Sequence, residues 1–243
     1  DLSAEGEKVL RNAIKYMLTA PVPPAPEPPA PPAPEPPAPP APEPPAPPPI
    51  PPLSEGRRIA AGTDDAEERL IGALYEMDIT SSDLELAWED FFQGDKQIVG
   101  LRFTDITIPK GTTIKKAYVQ FDVDETKGGT YPVFLLIDGE LSVNAATFSA
   151  TARDITSRPR TKANVLWHVR AWTVEHEHGP AQATPDIASI IQEIVNQDGW
   201  VSGNSLVLIF RDSSLISTGI RCAESFEGAG SNIEQIPTLF VTY

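Results

Sequence analysis

The chain has 243 residues, 27 of them proline, a formal net charge of −15 and a single cysteine, Cys222. Such an acidic balance argues against nucleic acid or an anionic membrane as partner, since both need clustered Lys or Arg, and it suits divalent cations and solubility in an open medium. One cysteine excludes an intramolecular disulfide, and no apolar run approaches the ~18 residues that a membrane-spanning helix needs.

Asp1 at the start points to a mature form or a piece of a longer chain. Residues 1–20 form a head too short to fold alone. Within it, 3–18 read as an amphipathic helix with Ser3 as N-cap, Glu5 and Glu7 in the first turn and Lys15 near the end. Val9, Leu10, Ala13, Ile14, Met17 and Leu18 share one face at helical spacing, and nothing in the segment covers them. The helix is either the end of a preceding domain or a docking element for another subunit.

Residues 21–52 form an arm that holds 21 of the 27 prolines. Three copies of Pro-Pro-Ala-Pro-Glu-Pro-Pro-Ala fill 23–30, 31–38 and 39–46. Proline fixes φ and pushes the preceding residue out of the α region, so the tract is expected to be polyproline II, with a reach of roughly 100 Å at about 3.1 Å per residue. An octad does not match a three-residue turn, so Glu27, Glu35 and Glu43 step around the axis as on a solvated spacer.

From residue 53 onward the pattern is that of strands. Expected strands are 73–79, 83–88, 97–103, 114–123 and 131–137, then a looser region around Arg158-Pro159, Trp167 and Trp172. A helix follows, with Thr184 as N-cap, Pro185 at its first position, and Ile187, Ile190, Ile191, Ile194 and Val195 as its apolar stripe. Strands at 205–210, 219–225 and 237–243 close the chain. The fold class is therefore mainly β, a jelly-roll type β-sandwich over 53–243 with one short helix.

Several phrases of this domain resemble the DNRLRE-like family of bacterial extracellular β-sandwich modules. They are Val99-Gly100-Leu101-Arg102-Phe103, Ile106 to Ile108 with Pro109-Lys110-Gly111, and Ile114-Lys115-Lys116-Ala117-Tyr118-Val119-Gln120-Phe121. The resemblance continues through Thr184-Pro185-Asp186-Ile187, Gly203-Asn204-Ser205-Leu206 and Ala223-Glu224-Ser225 to the closing Pro237-Thr238-Leu239-Phe240-Val241-Thr242-Tyr243. It implies an extracellular or cell-surface module, with some relatives binding acidic polysaccharide and others acting as spacers.

No nucleophile elbow, zinc-protease helix or phosphate-cradling glycine loop is present, and the expectation is a chain without catalytic activity. Calcium is the favoured cofactor. Asp64, Asp65 and Glu67, beside Glu68, are expected in one loop, with Asp83 and Glu85 on one face of the strand that follows. Asp122, Asp124 and Glu125 form a second carboxylate group. His176-Glu177-His178 could place two imidazoles on one strand face, but beside Gly179-Pro180 it reads as a solvated loop, and Cys222 reads as a core side chain. Trp167, Trp172 and Trp200 are candidates for glycan contact, whereas Trp88 belongs with Leu84 and Leu86 in the core. Helix, stiff tether and sandwich in series suggest a subunit that polymerises with copies of itself. A carbohydrate-binding module of a secreted protein is the alternative.

Overall fold

The computed structural model describes residues 3–19, 56–89, 95–213, 215 and 217–243. The chain divides into two compact units, Asp1–Pro48 and Pro49–Tyr243. In the first, α1 spans Ala4–Thr19, and the Ser3 carbonyl accepts from the amides of Gly6 and Glu7. Of the expected docking face, Val9 is 69% exposed and Ala13 is exposed, while the side chains of Leu10, Ile14, Met17 and Leu18 and the whole arm over 21–52 lie outside the described residues.

The second unit is a mainly-β, antiparallel sandwich. Its strands are β1 (Arg57–Arg58), β2 (Asp65–Ile71), β3 (Leu74–Asp78), β4 (Asp83–Leu86), β5 (Lys96–Ile106), β6 (Lys116–Gln120), β7 (Val133–Glu140), β8 (Arg160–Val169), β9 (Asn204–Asp212), β10 (Arg221–Glu224) and β11 (Thr238–Thr242). One sheet has six strands in the order β3-β2-β5-β9-β7-β8. Opposite it stand β1-β11-β6 and the pair β10-β4. The chain leaving β6 joins these last two groups, because Val123 bridges to Ala223 of β10.

Alternation builds the core. Val99, Leu101 and Phe103 of β5 face Ala117 and Val119 of β6 across the sandwich, and the ring of Phe121 stacks on Trp167 at 5.9 Å and meets Phe210 edge-on at 5.4 Å. Helix α2 (Ala188–Val195) covers β7 and β8 with Ile190, Ile191, Ile194 and Val195, all buried. It sits tightly over Gly139, where an added Cβ would lie 2.8 Å from Ile194 and 2.9 Å from Ile190.

Several expectations need correction. The helix begins at Ala188 rather than at Pro185, because 184–187 run as an extra edge beside β6. Thr184 Oγ1 accepts from the Val119 amide, the Ile187 amide donates to the Ala117 carbonyl, and Asp186 Oδ1 accepts from Ala117 and Ala188. The looser region holds the ten-residue strand β8. A second short helix, α3 (Phe226–Ala229), is capped by Ser225, whose Oγ accepts from Gly228. The supposed acidic loop of Asp64, Asp65, Glu67 and Glu68 is strand β2 from Asp65 onward.

Arg221 is buried in the middle of β10's surroundings, and its guanidinium donates to five backbone carbonyls, those of Gly128, Tyr131, Val169, Arg170 and Ile220. Burial lowers its pKa to about 10, which leaves it charged at neutral pH. The planar fork ties two loops to one strand in a way that an ammonium cannot. Arg221→Lys is therefore expected to cost about 3 kcal/mol and roughly 10 °C in melting temperature, read by calorimetry. A shift of under a degree would refute this role.

Candidate functional site

Acidic side chains collect where β4 and β10 close one end of the sandwich. The pairing sets Glu85 opposite Cys222 and Asp83 opposite Glu224, so these four side chains share one face while Leu84 and Leu86 point into the core. The segment 122–124 runs beside β10, with the Glu224 amide donating to the Asp122 carbonyl and the Asp124 amide to that of Cys222. Asp122 and Asp124 thereby join the same face. Loop 176–178 forms the next row, since the His176 amide donates to Val123 and the Val123 amide to the Glu177 carbonyl.

On the other side of β4 the face continues into a cleft of about 250 Å³. Glu67, Glu76, Asp78, Asp83, Glu85 and Glu89 line it, with Arg69 as the one guanidinium. Arg69 is held between Glu76 at 2.8 Å and Glu89 at 3.0 Å, and among the described residues no salt bridge reaches Glu67, Asp83 or Glu85. Glu67 Oε1 accepts from the Glu85 amide at 2.6 Å, and the Gln97 amide donates to Glu85 at 3.2 Å and Glu89 at 2.6 Å.

Burial and mutual repulsion mark this group. Desolvation, with Asp83 and Glu89 nearby, pushes Glu85 up to about 8. Glu67 is pushed well above the usual carboxylate range by burial, opposed by the bond from the Glu85 amide. Asp65 rises to about 7, again chiefly by desolvation, and Asp83, Asp122 and Asp124 also rise with burial as the leading cause. Carboxylates in this condition must either keep a proton or take a cation, and clustered oxygens at flexible spacing suit a hard divalent ion.

The structure brings together three of the five residues expected to hold calcium, namely Glu67, Asp83 and Glu85. Strand alternation turns Asp64 to the opposite face, whereas Asp65 shares the face of Glu67 but sits two residues along, against α3. Asp64 pairs with the guanidinium of Arg102 on the outer face of β5. Asp65 faces inward, and its Oδ2 accepts from the Phe226 amide at the start of α3. Glu68, on the outer face, accepts from the amides of Ile155 and Thr156 and so anchors that loop. Glu89 and Gln97 are members that the sequence reading missed, and their signal was present in Glu89, which continues the acidic run of β4.

The aromatic candidates fail as a sugar platform. Trp167, Trp172 and Trp200 are only 4%, 0% and 3% exposed, and the indole N–H of Trp172 donates to Ala181 and that of Trp200 to Ile108. Their position at loop edges in the sequence reflects loops folded over the core. Cys222 is buried, as expected for a core thiol, although its face is the carboxylate one. No family model matches the chain, and a search of curated proteins finds no match.

The raised carboxylates fix a sign for the dependence of stability on pH. A folded-state value above the unfolded one means that the folded chain binds more protons, so stability falls as pH rises between the unfolded values near 4 and the folded values of about 7 to 8. In chelator, the melting temperature is therefore expected to drop by several degrees from pH 5.5 to pH 8.5. Glu85→Gln should flatten that slope, and an unchanged slope in the variant would refute the assignment.

Proposed function

We propose that this chain is a non-catalytic extracellular structural subunit that polymerises with copies of itself. The head and arm dock on neighbouring subunits, and calcium at Glu67, Asp83 and Glu85 braces the sandwich. The observation that carries the reading is the organisation of the chain: a helix with exposed Val9 and Ala13, followed in sequence by three exact proline octads and then by a β-sandwich that is a compact unit separate from residues 1–48. A stiff tether raises the local concentration of its tip at sites within reach, and a head-to-tail contact that does not close on itself produces filaments, tubes or layers. Surface display is in keeping with the resemblance to bacterial extracellular modules. The same reading leaves no role for a membrane span: no helix among the described residues is long and apolar enough to cross one. The carbohydrate-binding alternative has lost its three candidate contacts to the core.

Electron microscopy of negatively stained samples tests the assembly. The full chain is expected to give fibres, tubes or sheets, and a chain starting at Leu53 monomers. Monomers from both, with retention on an immobilised acidic polysaccharide, would favour the alternative instead. For the ion, saturating calcium at neutral pH should raise the melting temperature by several degrees, since a ligand at 100 times its Kd adds about 2.7 kcal/mol. The gain should vanish in Glu67→Gln/Glu85→Gln, and an unchanged midpoint for the parent chain rejects calcium.

A further inference from the structure

Next to the cleft, on the outer rows of the same face, a second set of side chains has a different chemistry. Asp122, His176 and Glu224 each offer one ligand atom, and the three atoms lie within 4.8 Å of one another. We propose that they bind a divalent transition-metal ion of the zinc class, at a site separate from the calcium cleft and sharing no residue with it.

The geometry is close to that of a coordination shell. His176 Nδ1 stands 3.8 Å from Asp122 Oδ1 and 3.6 Å from Glu224 Oε1. Ligands at about 2.0–2.2 Å from a tetrahedral ion stand roughly 3.3–3.5 Å apart, so the two distances from the imidazole need to close by only a few tenths of an ångström to seat one. The decisive atom is Asp122 Oδ1. Asp122 is only 2% exposed, yet this oxygen takes no hydrogen bond of proper geometry, although the Gln235 amide lies near it. A buried carboxylate oxygen left in that state costs free energy that an ion would recover.

The surroundings hold the ligands in place. The other oxygen of Asp122 meets His178 Nδ1 at 3.1 Å, which orients the carboxylate from behind. Gln235 Nε2 lies 2.7 Å from His176 Nδ1 and, as an amide donor, leaves that nitrogen with the lone pair a metal needs. A rotation of the half-buried Gln235 side chain hands the lone pair to the ion. The imidazole of His176 is 63% exposed, so an ion reaches the site directly from solvent and retains water on its open positions.

The donor set decides the class of ion. Calcium takes six to eight oxygens, whereas imidazole nitrogen with two carboxylates suits zinc and its neighbours in the first transition row. Backbone pairing brings the three residues together: Glu224 and Asp122 are joined by the Glu224 amide, and His176 and Val123 by the His176 amide.

The test is calorimetric titration of the chelator-treated full chain with zinc chloride, with cobalt chloride as a spectroscopic probe. One zinc ion per chain is expected, with a visible cobalt absorption characteristic of nitrogen and oxygen ligands. His176 has φ = 59°, a left-handed backbone that asparagine tolerates, so His176→Asn removes the imidazole without straining the loop. His176→Asn and Asp122→Asn should each weaken zinc at least about tenfold, and His178→Gln about tenfold through loss of orientation. Glu67→Gln/Glu85→Gln, which abolishes the calcium cleft, should leave zinc affinity unchanged. Unaltered zinc affinity in His176→Asn, or its loss in the cleft variant alone, would overturn the proposal whatever the calcium experiment shows. Absence of a saturable zinc equivalent in the parent chain would also overturn it.

Discussion

The sandwich can close over β2 only by covering carboxylates. Asp65 and Glu67 lie on the inner face of that strand, opposite Leu101 and Val99, where most strands present apolar side chains. Strand β4 is laid against them through the bond from its own Glu85 amide to Glu67, and β10 then pairs with β4. Each added layer brings more acid, through Asp83, Glu85, Glu224 and the 122–124 segment. This end of the domain is held by hydrogen bonds from backbone amides to carboxylates as well as by the inward side chains of Leu84, Leu86 and Ala223, and its stability depends on how that charge is neutralised.

Elsewhere the domain follows the ordinary rules of a sandwich. The six-stranded sheet packs Val99, Leu101, Phe103, Leu208 and Phe210 against β6 and β11, and α2 covers the end away from the acid. Two buried acids away from the cleft have guanidinium partners: Arg158 bonds Glu140 at 2.7 Å, and Asp138 lies between Arg160 and Arg211. The contrast is informative. At Glu140 and Asp138 the fold supplies a guanidinium, and where β2, β4 and β10 meet it supplies mainly further carboxylates.

Much of the architecture was legible because apolar residues alternate plainly in 97–103 and 117–123, because 206–210 is an unbroken apolar run buried throughout, and because the isoleucines of α2 keep a helical period. Strand β8 was not legible: it lies at the edge of its sheet, and Arg160, Lys162, Asn164 and His168 interleave with only a few buried positions. Strand β2 was hidden for the opposite reason, since acid occupies its inward positions and inverts the expected pattern. Asp83 and Glu85 could be placed together from alternation within one strand. Their junction with Glu67 depends on pairing between strands, as does that of Asp122 with Glu224 and His176, and no local spacing encodes it. The tryptophans show the same limit, because only the tertiary fold decides whether a loop edge is an outside or an inside.

Cys222 lies on the carboxylate face, within 4.8 Å of ligand atoms of Asp83 and Glu125. Burial, reinforced by the charges of Asp83 and Glu85, pushes its thiol pKa far up. Oxidation and disulfide exchange both proceed through the thiolate. The acids that crowd this face therefore also suppress the reactive form of the chain's one sulfhydryl. In an assembly of the kind proposed above, this disfavours cross-linking of copies through sulfur.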